Sequence, residues 1–203
     1  MSGRDDILAS IRANLPRVDR PLPYVPAFDD DPPASLLDAF KASLHRMGGM
    51  FLDAPAAGDI LAPVRAKIAG AKIVCSMVPE ITGNRDIADL GALRDLADVD
   101  FAIVRASFAV AETGSVLLTD ADLRVNAVAY LAQHLIVLLD PTDIVINLHD
   151  AYRRPEFRDR QYACFHTGPS ATADIEGVLI HGAQGVRSLS VLPIARAAGD
   201  PAH

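Results

Sequence analysis

Apolar residues recur at helical spacing in three places along the first third of the chain. Ile7, Leu8, Ile11 and Leu15 mark a short N-terminal helix, opened by Ser2 and Asp5 in a capping-box arrangement and ended by Pro16. Leu36, Leu37, Phe40 and Leu44 define one face of a helix running to about Arg46, with Ser35 and Asp38 as its capping box and Gly48-Gly49 as its stop. Ile60, Leu61, Val64 and Ile68 predict a helix over residues 57–69. Between the first two lies a connector, residues 16–33, with Pro16, Pro21, Pro23, Pro26, Pro32, Pro33 and the run Asp29-Asp30-Asp31. It has no packing pattern and reads as extended and acidic.

Further on, the apolar residues gather into short runs. Residues 50–52, 72–77 (KIVCSM), 100–105 (DFAIVR), 115–118 (SVLL), 135–139 (LIVLL), 163–166 and 188–192 (SLSVL) predict strands. Helical patterns are expected over 86–96, over 143–153 with Thr142 as cap, and from Thr172 to about Glu176. Strands alternating with helices imply an α/β protein with a mostly parallel sheet covered on both faces. The expected organisation is an N-terminal helical arm and linker over 1–33, followed by one domain over 34–203.

Composition narrows the function classes. The chain has 203 residues, 50% of them hydrophobic and 22% charged, which is ordinary for a globular domain. Its net charge of -7 opposes binding to phosphate backbones and anionic lipid, so nucleic acid and membrane surfaces are poor partners. No apolar run approaches the roughly 20 residues that span a bilayer. The start, Met-Ser-Gly-Arg-Asp-Asp, lacks the basic-then-apolar order of a signal peptide, so a cytoplasmic location is expected. Cys75 and Cys164 lie far apart, outside any C-x-x-C pair, and cannot build an iron–sulfur or zinc site by themselves. Both are expected to behave as small buried hydrophobes.

Four stretches carry residues suited to chemistry. Ala111-Glu112-Thr113-Gly114-Ser115 places a carboxylate, two hydroxyls and a glycine in a turn before a strand. Such a turn lets backbone approach a ligand, and a partly buried Glu112 would serve as base or nucleophile. The alternative is a tight turn whose Glu is solvated or caps a neighbouring element. The second stretch, 168–176, holds Gly168, Ser170, Thr172, Asp174 and Glu176 between a strand and an expected helix. Free N–H groups there would favour an anion, while plain helix capping by Ser170 or Thr172 explains the same residues. The third, 181–187, sets His181 and Arg187 around two glycines, as a loop beside a site or as a helix C-terminus. In the fourth, His134 directly precedes LIVLL, where it faces a cleft or hydrogen-bonds as a boundary residue; Arg124 upstream would hold a carboxylate by a bidentate pair. The chain contains no G-x-G-x-x-G, Walker A, H-E-x-x-H or G-x-S-x-G sequence, which argues against an autonomous dinucleotide enzyme, a P-loop nucleotidase, a zincin and a typical serine hydrolase.

Taken together, AETGS at 111–115, His134 before its strand, DIVINLHDAY at 143–152 and GPSATADIEGVLIHGAQG at 168–185 resemble the LUD-domain family that includes lactate-utilisation protein C. The resemblance covers roughly residues 35–195. This chain departs from the family pattern at Ala132-Gln133, Ala171 and Gln184-Gly185-Val186, so no basic or histidine-dependent role is carried over there. The resemblance implies a Rossmann-like sheet related to the sugar-isomerase and CoA-transferase group. It also implies oxidation of L-lactate to pyruvate together with two iron–sulfur partner subunits, the clusters residing in the partners and no cofactor in this chain. On that expectation the chain is a non-redox, substrate-binding or assembly subunit. Glu112 would be catalytic, and Thr113, Gly114, Ser115, Arg124, His134, Gly168, Ser170, Thr172 and Asp174 would bind a small carboxylate. Two alternatives stand beside it: a stand-alone transferase or isomerase using Glu112, since AETGS also looks like the glutamate loop of CoA transferases, and a non-catalytic adaptor whose N-terminal arm docks a partner.

Overall fold

The apolar run LIVLL becomes the central strand of the protein's main sheet. The structure is a computed structural model and describes residues 3–16, 21, 23–27, 31–157, 159–173, 179–181 and 185–196. In chain order its elements are α1 (Gly3–Asn14), α2 (Leu36–Arg46), β1 (Met50–Phe51), α3 (Ala62–Ile68), β2 (Val74–Ser76), β3 (Phe101–Arg105), β4 (Phe108–Val110), β5 (Ser115–Thr119), α4 (Asp120–Leu123), α5 (Val128–Leu131), β6 (His134–Leu139), β7 (Ile144–Val145), α6 (Leu148–Ala151), β8 (Ala163–His166), β9 (Ala171–Ala173), β10 (Leu179–His181) and β11 (Ser188–Pro193).

Five strands in the order β1-β11-β6-β3-β2 form a wholly parallel sheet. Along β6 the side chains alternate between two cores. Leu135, Val137 and Leu139 face one cluster with Phe40 and Leu44 of α2, while Ile136 and Leu138 face another with Val64 of α3. The expected α/β architecture, a mostly parallel sheet flanked by helices, is what the structure shows.

A second sheet was not legible in the sequence. It has the order β7-β4-β5-β8, with β4 and β5 antiparallel to each other and β7 parallel to β4. It too is covered on both faces. Ala109, Val116 and Leu118 point into the core shared with the parallel sheet, while Phe108, Val110 and Leu117 pack with Phe157 and Phe165 on the outside. Burial on both faces removes the polar alternation by which a strand is recognised, so 108–110 reads as a featureless apolar stretch.

Several expected helices differ. The helix at 57–69 begins only at Ala62, because Asp59 accepts from Leu61 N–H in a local turn and Pro63 occupies the first turn. Residues 86–96 form two 3-10 turns, Ile87–Asp89 and Leu93–Asp98. Each opens on a carboxylate bonded to a nearby N–H, that of Asp86 or Asp95, and in them only Leu96 is buried. Residues 143–153 divide into β7 and α6, with Asn147 rather than Thr142 as helix cap. Residues 171–173 and 179–181 pair antiparallel, β9 with β10, so Thr172 lies in a strand rather than opening the expected helix; residues 174–178 lie outside the described residues. The expected cap at Ser35 is present, its hydroxyl accepting from Asp38 N–H at 3.1 Å; Ser2 lies outside the described residues.

Candidate functional site

Two of the four sequence stretches singled out for chemistry, 111–115 and the start of 168–176, meet in space. The turn after β4 carries Glu112, Thr113 and Gly114 into β5, and the turn after β8 carries Thr167, Gly168 and Ser170 into β9. Because β5 pairs antiparallel with β8, Val116 lies opposite His166, and the Ser115 and Thr167 hydroxyls hydrogen-bond each other. Both turns rest on the C-terminal half of α2. Gly114 has φ +67° and a Cβ there would strike the backbone of Ser43 and Leu44; Gly168 has φ +64° and a Cβ would strike the Met47 carbonyl. Only glycine combines that backbone conformation with so close an approach. Ser43 Oγ donates to the Glu112 carbonyl oxygen at 3.2 Å and itself accepts from the Arg46 guanidinium at 2.8 Å, which ties the helix to the turn.

Glu112 is exposed, so it is not the partly buried carboxylate that a base or nucleophile with a raised pKa would need. Its carboxylate accepts from the N–H of Leu148 at 3.1 Å, the first residue of α6, and its own N–H donates to the Ile146 carbonyl. A carboxylate at that position satisfies an otherwise open helix donor. Glu112 also lines a cavity of about 240 Å³ together with Ala39, Ala111, Ile146, Asn147 and His149, and Pro33 forms part of its wall. The N-terminal connector reaches this place: Asn147 Nδ2 donates to the Ala27 carbonyl at 2.6 Å.

On the other side of the paired turns is a second cavity, of about 360 Å³, lined by Tyr130, Cys164, His166, Gly168, Ser170 and Gly185. Burial drives the His166 imidazole down to about 4, so it is neutral at physiological pH, and its Nε2 is buried without a hydrogen-bond partner among the described residues. Tyr130 lies beside it, ring centroids 5.1 Å apart, and hydrogen-bonds Tyr162. Burial, then contacts with Cys164 and Tyr162, push the Tyr130 phenol upward, so it stays protonated and able to donate. The sequence patterns did not single out Tyr130, Asn147, His149 or His166. The only signal for His166 was its place at the end of an apolar strand.

The remaining expected site residues are dispersed. Thr113 Oγ1 is buried without a partner among the described residues. Ser170 anchors its turn by donating its N–H to the Val186 carbonyl at 2.8 Å. Thr172 sits in β9 rather than at a helix start, and His181 sits in β10 rather than at a helix end. Asp174 lies outside the described residues. His134 opens β6, in register with Phe101 and Ser188 at the N-terminal end of the parallel strands. Its ring stacks on Phe101 and hydrogen-bonds the Ser188 hydroxyl at 2.8 Å, and burial followed by the charges of Lys67 and Arg187 pushes it below the ordinary histidine range. It lines neither cavity, and the hydrogen-bonded boundary role fits it. Arg124 is not brought to Glu112 either: it follows α4, beyond the end of β5 opposite the Glu112 turn, and lines a different cavity. Among the described residues no three His, Cys, Asp or Glu side chains are gathered as metal ligands, and no helix is long and apolar enough to cross a membrane.

A scan against family models matches residues 40–193 to the LUD domain, well over half of the chain. The chain belongs to the LUD domain family. Its fold is similar to the crystal structure of a DUF162 family protein from Deinococcus radiodurans, with a TM-score of 0.60 at 17% identity over 77% of this chain and 94% of that one. No curated protein matches the sequence. In this LUD domain the family-matched region begins inside α2 and ends with β11, so it contains both sheets and both paired turns.

Proposed function

We propose that this LUD domain serves the oxidation of L-lactate to pyruvate as a substrate-binding or assembly subunit, with iron–sulfur proteins as its partners. The observation that supports this most is the meeting of the 111–115 and 167–170 turns, joined by Ser115 and Thr167 and seated together on α2 beside two small cavities. Lactate oxidation releases two electrons and two protons. One proton leaves the hydroxyl and the other leaves Cα with the two electrons, which clusters in the partner proteins would take up, while this chain would hold the small carboxylate. In the Glu112 cavity the carboxylate of Glu112 would accept the lactate hydroxyl proton, and His149 lines the same cavity.

The test is Glu112→Gln. A glutamine oxygen still accepts from Leu148 N–H, so the cap and the fold are kept and only the charge and basicity are removed. Loss of lactate-dependent growth at normal protein level is expected, and normal growth would sink the proposal. Anaerobic pull-down of the tagged chain should recover cysteine-rich iron–sulfur proteins; recovery of the folded chain alone would favour a stand-alone enzyme.

A further inference from the structure

Arg124 is the one non-glycine among the described residues with positive φ, at φ 56° and ψ -42°. The N–H of Val125 donates to the Leu123 carbonyl around it, which makes Arg124 the centre of a γ-turn of the positive-φ kind, a rare and strained conformation for a residue with a side chain. The turn is held rigidly from one side. Buried Asp122 accepts from Ser107 Oγ at 2.7 Å, and from the N–H and hydroxyl of Thr119, each at 2.8 Å. Strain at a position so firmly held points to a reason for aiming that side chain.

What it aims at is a cavity of about 270 Å³. The loop leaving β2 forms much of the cavity, so it lies at the C-terminal end of a strand in a parallel sheet, the end where such sheets bind ligands. Met77, Val78, Ile81 and Ile87 supply an apolar wall, and Thr82 a hydroxyl. The two other charged groups on its lining are already engaged. Arg85 forms a two-pronged ion pair with Asp98, and Asp86 accepts from Ala88 N–H. Arg124 has no ion pair and no side-chain hydrogen bond among the described residues, so its guanidinium is the open charge at this cavity. A planar fork of donors beside an apolar wall matches one ligand chemistry, a carboxylate on a short apolar body.

We propose that Arg124 and the 77–83 loop form a binding site for a small organic monocarboxylate, separate from the Glu112 cavity. The site goes beyond the lactate proposal and does not depend on it, because it is tested by equilibrium binding to the isolated full-length chain rather than by growth or turnover. Pyruvate, propionate and inorganic phosphate are titrated into the wild type, Arg124→Gln and Arg124→Gly, followed by calorimetry and by thermal unfolding. Pyruvate and propionate should bind saturably in the millimolar range to the wild type. Either substitution should weaken that binding roughly tenfold or more, as expected for loss of a charge-assisted hydrogen-bond pair. Arg124→Gly, which relieves the backbone, should at the same time raise the unfolding temperature by roughly 2–4 °C. Unchanged carboxylate binding in both variants, or phosphate binding without carboxylate binding, would overturn the proposal. So would an absence of saturable carboxylate binding by the wild type.

Discussion

At the residue scale, His166 shows how much burial changes a side chain's chemistry. The unfolded chain binds a proton at this imidazole near pH 6.5, whereas the folded protein binds it only near 4. Between those values the unfolded state carries more protons, so acid favours unfolding. The contribution of His166 is intact above about pH 6.5 and is lost as the pH falls toward 4, a loss of roughly 3 kcal/mol. Urea denaturation across that range should show the decline in the wild type and a flatter profile in His166→Gln. Equal slopes in the two proteins would mean that His166 is not buried as described. Glu112 teaches the opposite lesson. The sequence marked it as a candidate residue, but its bond to Leu148 N–H depends on α6, whose backbone is 36 residues further along the chain.

At the element scale, the site depends on how α2 sits on the β4–β5 turn and the β8–β9 turn. Gly114 and Gly168 let the helix backbone approach the turns directly, and a methyl group at either place has nowhere to go. Gly114→Ala adds both a strained φ and a backbone clash, and should destabilise the protein by at least about 2 kcal/mol. Chemical denaturation measures this, and a loss below about half that value would show that the helix can retreat without cost. Strong periodic elements were legible: α2, β3, β6 and β11 follow from apolar spacing alone. The weak ones were not. Ile144 and Val145 joined a strand because β4 lay open beside them, and residues 171–173 paired with 179–181 where local capping chemistry suggested a helix. In both cases a partner distant in sequence outweighed a marginal local preference.

At the scale of the whole molecule, the N-terminal helix stands apart from the hydrophobic core. No residue of α1 is buried, and Ile7, Ile11 and Leu15 are exposed. The connector nevertheless touches the body where Asn147, itself buried, donates to Ala27. Removing residues 1–33 should leave the body folded but cost about 1 kcal/mol by taking the partner from that amide. Under the subunit proposal it should also weaken co-purification with the iron–sulfur partners. Unfolding of the truncated chain would show that the segment belongs to the domain. Unchanged stability and unchanged complex formation would remove any role for it.

By itself the sequence determined the α/β class, the central apolar strands and the two short stretches at 111–115 and 168–170, because hydrophobic periodicity and glycine-rich turns are local properties. The tertiary structure alone decided which of those residues meet. Pairing of β5 with β8 brought the two turns together, while β5 carried Arg124 away from Glu112 and the register of β6 set His134 against Phe101 and Ser188. Strand pairing and burial on both faces of a sheet are set by segments far apart in the chain, and no local pattern records them.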